Sequence, residues 1–252
     1  MAPDTIFVLA VVSRGGSNFG RMVVCQHPAV CPTDIHEDFL LLHSKHLLDY
    51  VEGCHRTRGE QAWSNRDELL CEVARGALRS LRRKIAPHFT VATRSPTVKG
   101  LDNLPVFPQS RALVLVRDPR DCVESSQVSF GRSPEYVTSL WTENMRIVEQ
   151  MRSHASVSVF RYEDLVNGSI SVQRVFEGLG LTTNVPIPDV SKLPVLGSSD
   201  LVRQGGPLHW RPTAPTTDFK PIGRWKHREA FWCDFIKKRE ALAATMAAWG
   251  YI

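Results

Sequence analysis

The chain has 252 residues, of which 42% are hydrophobic and 23% are charged, a composition that is ordinary for a folded globular protein and excludes a disordered one. The formal net charge of +5 is modest and the basic residues are scattered, so we expect no nucleic-acid partner. No stretch approaches the roughly 18 apolar residues that span a bilayer, so we expect no membrane partner.

Apolar runs alternate with segments of helical periodicity, which predicts an α/β fold with a mostly parallel central sheet flanked by helices. The predicted strands are 6–12, 89–93, 112–116 and 157–160. The predicted helices are 18–26, 39–51, 66–85, a helix that begins at Asp118-Pro119, 134–153, 169–178 and 234–249.

Two segments between these elements are predicted to lack regular structure. Residues 53–65 are polar and include glycines, which indicates a loop. Residues 186–221 are rich in proline, glycine, serine and threonine, which is typical of a long functional loop near a ligand. We expect one domain over 1–252. The six cysteines form no C-x-x-C pair, which favours reduced thiols and a cytoplasmic location.

The stretch that follows the first predicted strand has the composition of an anion site. It contains a pair of glycines after Arg14 and leads into a predicted helix through Ser17 and Asn18. Free backbone N–H groups at a helix start, together with the helix dipole, favour bound negative charge. Arg14 adds a full positive charge, and the Ser17 hydroxyl and the Asn18 amide add donors. The sequence therefore predicts a phosphate-binding loop.

The same stretch nearly matches the nucleotide-binding signature G-x-x-x-x-G-K-[ST]. Gly15 and Gly20 have the required spacing. Arg21 then replaces the lysine, and Met22 replaces the Ser or Thr whose hydroxyl binds Mg²⁺. This pattern favours a phosphate cradle that has lost its metal, so we expect no metal at the site.

A second stretch supplies further anion ligands. Arg117 follows the predicted strand 112–116, at the carboxyl end where open α/β sheets bind ligands. Ser125 lies eight residues later, which is about two helical turns. We expect both side chains to reach one anion, an arginine from the strand end and a hydroxyl from the helix.

These motifs resemble those of the sulfotransferases whose sulfuryl donor is 3′-phosphoadenosine 5′-phosphosulfate (PAPS) and whose product is PAP. The stretch Arg-Asp-Pro-Arg-Asp at 117–121, with Ser125, is similar to the family's 3′-phosphate site. The loop at 14–19 looks like the 5′-phosphosulfate loop of the carbohydrate and bacterial members. Residues 160–165, 197–199 and 220–226 resemble the family's Tyr-Glu-Asp-Leu, Asn-Ser-Ser and Gly-Arg-Trp segments, in the same order.

The resemblance implies a P-loop-like nucleotide-binding fold and transfer of a sulfuryl group from PAPS to a hydroxyl or amine of a small-molecule or carbohydrate acceptor. The donor-binding residues that it implies are Arg14, Gly15, Gly16, Ser17, Asn18, Phe19, Arg117, Ser125, Tyr162, Ser198, Ser199, Lys220, Gly223 and Arg224. Arg14 is also expected to neutralise charge on the bridging oxygen as its bond to sulfur breaks.

The reaction also needs a base near the loop. Residues 93–96 lie where many sulfotransferases carry Lys-Thr-His or Lys-Ser-Pro, but here they bring Arg94 and no histidine. Some carbohydrate and bacterial members place a catalytic glutamate after the first helix. Glu37 is therefore our first candidate for the base, His36 the second and Asp34 the third. A glutamate in the first turn of a helix is the competing interpretation of Glu37.

Two other functions stay open at this point. One is a metal-dependent P-loop kinase for a small molecule, against which Met22 and the lack of a second acidic motif both count. The other is a non-catalytic nucleotide-binding relative, which the unusual segment at Arg94 permits. The dependence of nucleotide binding on Mg²⁺ separates the first from a sulfotransferase, and turnover separates the second.

Overall fold

The structure, a computed structural model, describes residues 2–32, 37, 39–58, 72–73, 76, 90–107, 109–186, 193 and 222–252. Its centre is a five-stranded sheet in which every pairing is parallel, so the predicted α/β class is confirmed. The strand order is β2-β3-β1-β4-β5. The strands are β1 (Thr5–Ala10), β2 (Val30–Pro32), β3 (Thr90–Ser95), β4 (Ser110–Val116) and β5 (Val157–Arg161).

Helices flank this sheet. The α-helices in the described part of the chain are α1 (Ser17–Val24), α2 (Leu40–Arg58), α3 (Pro119–Phe130), α4 (Pro134–Met151), α5 (Tyr162–Val166), α6 (Val172–Gly178), α7 (Glu229–Lys237) and α8 (Glu240–Ala248). Short 3₁₀ helices cover Leu101–Val106 and Arg224–Arg228. As predicted, α3 and α4 each begin with a proline after an N-cap: the side chains of Asp118 and Ser133 accept the N–H groups of Arg120 and Tyr136.

Both faces of the sheet are covered, which explains why β1 and β4 contain continuous apolar runs. Along β1, Phe7 and Leu9 belong to one buried apolar cluster, whereas Ile6 and Val8 belong to the cluster on the opposite face. Every residue of β1 is buried. This burial on two sides makes the sheet a rigid platform for the loops at its carboxyl edge.

The order of the strands determines where a ligand binds. β1 pairs with β3 on one side and with β4 on the other, so the chain leaves β1 in one direction and returns later to its opposite side. Such a switch point opens a crevice at the carboxyl ends of the strands. The loop after β1, the end of β3 and the end of β4 therefore meet at one edge of the sheet.

Three sequence predictions were wrong or incomplete. The edge strand β2 was not predicted, because three residues that include Pro32 carry almost no strand signal. The predicted loop 53–65 is helical through Arg58, since α2 continues past Gly53 and the Thr57 hydroxyl donates to the Gly53 carbonyl at 2.8 Å. The predicted helix 234–249 is two helices, α7 and α8, separated at Lys238 and Arg239.

Helices α7 and α8 pack against the same apolar cluster, through Trp232 and Phe235 of α7 and Leu242 and Met246 of α8. At the turn between the two helices, the Arg239 guanidinium lies 3.4 Å above the centre of the Phe235 ring.

Two predicted segments fall largely on residues that the structure does not describe. Within the predicted helix 66–85, the structure describes only residues 72–73 and 76. Within the predicted loop 186–221, it describes only residues 186 and 193. Within the described part of the chain, no helix has the length and apolarity that crossing a bilayer requires. The five cysteines there are free thiols.

Candidate active site

The loop between β1 and α1 makes a turn that requires glycine. Gly16 has φ = +101°, and a Cβ at this position would lie 2.3 Å from Cδ2 of Tyr162. A Cβ at Gly15 would lie 2.8 Å from the Val12 carbonyl oxygen and 2.9 Å from Cβ of Ala10. The two glycines thus let the loop pass close to the strand and to a buried ring before α1 begins at Ser17.

The nucleotide-binding signature read from Gly15 and Gly20 is not the frame that the fold uses. Gly20 lies inside α1, where its N–H bonds to the Gly16 carbonyl and where a Cβ would lie 2.8 Å from Leu115. Arg21 and Met22 therefore lie beyond the first turn of the helix, which is the part of a helix that can bind phosphate. The helix begins directly after Gly16, so Ser17 and Asn18 occupy the places of the lysine and the Ser/Thr.

Arg14, Arg117 and Ser125 come together at this turn. Nε of Arg14 donates to Oγ of Ser125 at 2.9 Å, and Nη1 of Arg117 donates to the Arg14 carbonyl at 2.7 Å. Arg14 adopts φ = +71°, a backbone conformation that is uncommon for a residue with a side chain. The loop after β1 is thus tied to the end of β4 and to α3.

Helix α4 fixes the two strand ends that carry these arginines. The Asn144 side chain donates to the Val11 carbonyl at 2.6 Å, directly after β1. The Trp141 indole donates to the Arg117 carbonyl at 3.1 Å, directly after β4. Both side chains are fully buried. These two buried contacts from α4 therefore help to place the backbone segments that carry Arg14 and Arg117.

A cavity of about 430 Å³ opens in front of the loop. The predicted site residues that line it are Arg14, Gly16, Ser17, Asn18, Phe19, Glu37, Arg117, Ser125 and Tyr162. Its lining contains five cationic side chains, contributed by Arg14, Arg94, Lys99, Arg117 and Arg132, and one carboxylate, that of Glu37. This excess of positive charge suits a ligand with several negative groups.

Tyr162 forms a buried wall of the cavity. The ring of Phe19 meets it edge to face with centroids 5.7 Å apart, and the Arg117 guanidinium lies 4.7 Å from its centroid. Burial raises the pKa of Tyr162 to about 12, so the phenol is neutral at ordinary pH. The ring therefore presents an aromatic face and a neutral hydroxyl beside the two arginines.

Glu37 lies in the same cavity and is paired with a buried arginine. One of its carboxylate oxygens is 3.5 Å from Nη1 of Arg94, whose side chain is only 4% exposed. Arg94 comes from β3, where it is in register with Val8 of β1. In the sequence, Arg94 is notable only because its segment lacks the histidine that many sulfotransferases carry there. The structure shows that it holds the carboxylate of the candidate base.

Gly223 and Arg224 are placed by an acidic anchor and do not line the cavity themselves. The carboxylate of Asp121 accepts the N–H of Gly223 at 2.9 Å, of Arg224 at 2.7 Å and of Trp225 at 3.3 Å. Asp121, the last residue of the stretch at 117–121, thus holds the backbone of the Gly-Arg-Trp segment, and we call these three hydrogen bonds the Asp121 clasp.

The positive charges are close enough to perturb one another. The pKa of Arg14 is lowered to about 10, first by its burial and then by repulsion from Arg117 and Arg224. Arg224 therefore acts on the loop electrostatically from the segment that Asp121 holds. A bound anion would relieve this repulsion, whereas a cation would increase it.

Asp121→Asn is expected to loosen this clasp. An amide presents one acceptor oxygen and an NH₂ group that meets another N–H, so at least one buried donor loses its partner. We expect the free energy of unfolding to fall by about 1–3 kcal/mol. Hydrogen exchange at the amides of 223–225 should accelerate. The exposed Asp102, changed to Asn, is the matched control, and equal exchange in both variants would contradict the clasp.

Five predicted site residues, Asp34, His36, Ser198, Ser199 and Lys220, lie outside the described residues, and Gly15 is not part of the cavity lining. The cavity also contains residues that sequence reasoning missed. They are the cations Arg94, Lys99 and Arg132 and the aromatic or apolar residues Phe39, Phe130, Tyr136 and Leu140. None of these belongs to a motif, so no signal in one sequence marks them.

No protein-family model matches the sequence, and no curated protein matches it. The chain is similar to the sulfotransferase domain of the Synechococcus PCC 7002 olefin synthase, with 17% identity and a TM-score of 0.49 over 90% of this chain and 95% of that one. It is similar to retinol dehydratase in complex with androsterone and inactive cofactor PAP, with 15% identity and a TM-score of 0.46 over 97% and 81%. It is also similar to shikimate kinase from Bacteroides thetaiotaomicron, with 14% identity and a TM-score of 0.38 over 71% and 100%. The matched structures thus include both a sulfotransferase and a kinase.

Proposed function

We propose that the protein is a sulfotransferase that transfers a sulfuryl group from PAPS to a hydroxyl or amine of a small-molecule or carbohydrate acceptor. The observation that supports this most directly is the junction of Arg14, Ser125 and Arg117 at the start of α1. There Nε of Arg14 donates to the Ser125 hydroxyl at 2.9 Å and Nη1 of Arg117 donates to the backbone carbonyl of Arg14 at 2.7 Å, in a cavity whose described lining carries five cations and one carboxylate.

The residues present fit the donor. PAPS carries negative charge on its 3′-phosphate, its 5′-phosphate and its sulfuryl group, and the cavity supplies arginines from two strand ends together with a helix start. We assign Arg117 and Ser125 to the 3′-phosphate, and Arg14 with the N–H groups of Ser17 and Asn18 to the 5′-phosphosulfate.

When bound, PAPS would supply an activated sulfuryl group: the acceptor oxygen or nitrogen bonds to sulfur while the bond from sulfur to the 5′-phosphate oxygen breaks, and its electron pair leaves with PAP. Arg14 is assigned to neutralise the charge that grows on that oxygen. Glu37 is assigned to take the proton that the acceptor loses, held in place by Arg94.

The first test is calorimetric titration with PAP and with ADP, each with and without Mg²⁺. We expect PAP to bind tightly without metal and ADP to bind at least tenfold more weakly, because ADP lacks the 3′-phosphate that Arg117 and Ser125 would hold. Arg117→Ala and the milder Ser125→Ala should both weaken PAP binding. Both side chains are buried, but Ser125→Ala removes a single hydroxyl oxygen and so disturbs the packing less than Arg117→Ala does.

Arg21→Gln is the matched control. Arg21 lies in the lysine position of the nucleotide-binding signature but beyond the helix start and outside the cavity lining. PAP affinity should therefore be unchanged in this variant. Loss of binding in Arg21→Gln, or an ADP preference that needs Mg²⁺, would overturn the proposal and favour a kinase. Binding of PAP without turnover of any acceptor would favour the non-catalytic relative.

A further inference from the structure

The cavity has a second wall that the donor-binding residues do not account for. Lys99 comes from the loop after β3, and Arg132 comes from the turn between α3 and α4. Phe130, Tyr136 and Leu140 complete this wall. We call these five residues the acceptor wall. They come from segments other than the glycine loop and the end of β4, so a molecule beside the donor would meet them.

Helix α3 connects the two parts of the cavity. Ser125, which bonds to Arg14, and Phe130, in the acceptor wall, lie on the same helix and are separated by five residues. At the rise of an α-helix, this separation is roughly 7.5 Å. The chain then turns at Gly131, with φ = +64°, and presents Arg132. A small acceptor is about this long, so a molecule with its nucleophile near Arg14 reaches the acceptor wall with its far end.

The charge of Arg132 is held at the cavity by aromatic rings. Its guanidinium carbon lies 4.8 Å from the Phe130 centroid and 5.7 Å from the Tyr136 centroid. Among the residues that the structure describes, none forms an ion pair with Arg132. Stacking on two rings restricts the guanidinium without using its N–H donors, which leaves the planar fork available for an oxyanion.

Lys99 is engaged only weakly. Its Nζ is 3.9 Å from a carboxylate oxygen of Glu143, and both side chains are largely exposed. Exposed pairs at such a distance contribute little to stability, so a ligand can compete for the ammonium group. The acceptor wall thus combines two available cations with Leu140 and two aromatic rings.

From this arrangement we propose that the acceptor is an acid: a small molecule with an apolar or aromatic body, a hydroxyl or amine at one end and a carboxylate or similar oxyanion at the other. The oxyanion binds Arg132 and Lys99, and the body packs on Phe130, Tyr136 and Leu140. This inference rests on the proposed sulfotransferase function, because it is the donor at Arg14 that makes the opposite wall an acceptor site. The same cations exclude amines at that end, which gives specificity as well as affinity.

The experiment uses acceptors matched in shape and different in charge. One series is para-hydroxyphenylpropionate, para-propylphenol and tyramine, and the other is ω-hydroxyhexanoate, hexanol and ω-aminohexanol. Binding of each compound to the full chain is measured by calorimetry with and without PAP, and turnover is measured with PAPS. In at least one series, we expect the acid to bind roughly tenfold more tightly than the neutral compound, because one charge-assisted hydrogen bond contributes about that much affinity. We expect the amine to bind most weakly.

Variants assign the preference to the two cations. Arg132→Gln and Lys99→Gln should each reduce the preference for the acid, and Arg132→Glu should favour the amine. Arg174→Gln, an exposed arginine on α6 outside the cavity, is the control and should keep the preference. PAP affinity should be the same in all four proteins, since none of these residues belongs to the donor site.

The outcomes separate this inference from the proposed function. If acid and neutral partners bind alike, if no acid binds at millimolar concentration, or if Arg132→Gln retains the preference, the acidic acceptor is overturned while PAP binding can still hold. If PAP does not bind, the proposed function fails. An acid preference that then persists without PAP and disappears in Arg132→Gln would still establish an oxyanion site, but not an acceptor site.

Discussion

Glu37→Gln should lower kcat for sulfuryl transfer by roughly 10²- to 10⁴-fold and leave PAP affinity nearly unchanged. An amide has nearly the shape of a carboxylate but cannot accept the proton that the acceptor loses. Glu37 lines the same cavity as Arg14, and its carboxylate is oriented by Arg94 at 3.5 Å. The donor-binding contacts, in contrast, are made by the loop after β1 and the end of β4, so PAP binding does not need Glu37.

A base is required only when the acceptor still carries its proton. The defect in Glu37→Gln should therefore shrink for phenols that are largely ionised at the assay pH, and should be largest for alcohols. A purely structural role would lower the rate for all acceptors by the same factor. The measurement is kcat across a series of phenols of graded acidity, with PAP affinity determined in parallel by calorimetry.

Two further variants make the test specific. Glu229→Gln changes an exposed glutamate in the first turn of α7 and should leave kcat unaffected. His36→Gln tests the second candidate base, which lies outside the described residues. If His36→Gln has the large effect and Glu37→Gln does not, Glu37 is not the base, and its ion pair with Arg94 is then only structural.

The sheet and its caps were readable from the sequence because their causes are local. β1 and β4 contain continuous apolar runs, since both faces of the sheet are covered, and Asp118-Pro119 and Ser133-Pro134 carry the residues that begin helices. β2 was not readable, because its pairing with β3 decides it and local propensity carries no information about that pairing.

The candidate site also contains residues that the sequence predicts and contacts that it does not. Arg117 and Ser125 were predicted at one anion, and Arg14 in the loop after β1, because each lies at a strand end, in a glycine loop or on a helix with a recognisable motif. The ion pair from Arg94 to Glu37 joins residues 57 positions apart and follows no motif, so only the folded chain reveals it. Asp121 was read as part of a phosphate motif, whereas it holds the backbone of 223–225. The Gly15 and Gly20 frame was wrong, because Gly20 fits a helix packed on Leu115.

Arg14→Gln should stabilise the protein without ligand and greatly weaken its activity. Burial, with repulsion from Arg117 and Arg224, lowers the pKa of Arg14 to about 10, so the unfolded chain holds this proton more firmly than the folded one. The charged side chain therefore destabilises the fold at neutral pH, and this cost declines only as the pH rises above about 10, toward the ordinary pKa of an arginine. A lowering of this size corresponds to roughly 3 kcal/mol, which exceeds the roughly 1 kcal/mol expected for the hydrogen bond to Ser125.

With PAP bound, the charge of Arg14 should stabilise the fold instead of destabilising it, because the negative groups of PAP compensate the repulsion among the three arginines. PAP should therefore raise the melting temperature of the wild-type protein much more than that of Arg14→Gln, and wild-type affinity should fall as the pH rises through about 10, where Arg14 loses its proton. With PAPS, kcat should fall by roughly 10²- to 10³-fold, as for the loss of other groups that neutralise a leaving oxygen.

Thermal melts of the wild type, Arg14→Gln and Arg174→Gln, each with and without PAP, measure both effects at once. A lower melting temperature for ligand-free Arg14→Gln would mean that its bond to Ser125 outweighs the electrostatic cost. An equal shift with PAP in all three proteins would mean that Arg14 does not touch the donor. A buried cation can destabilise the ligand-free protein and stabilise the complex for one physical reason: in the complex the ligand solvates its charge in place of water.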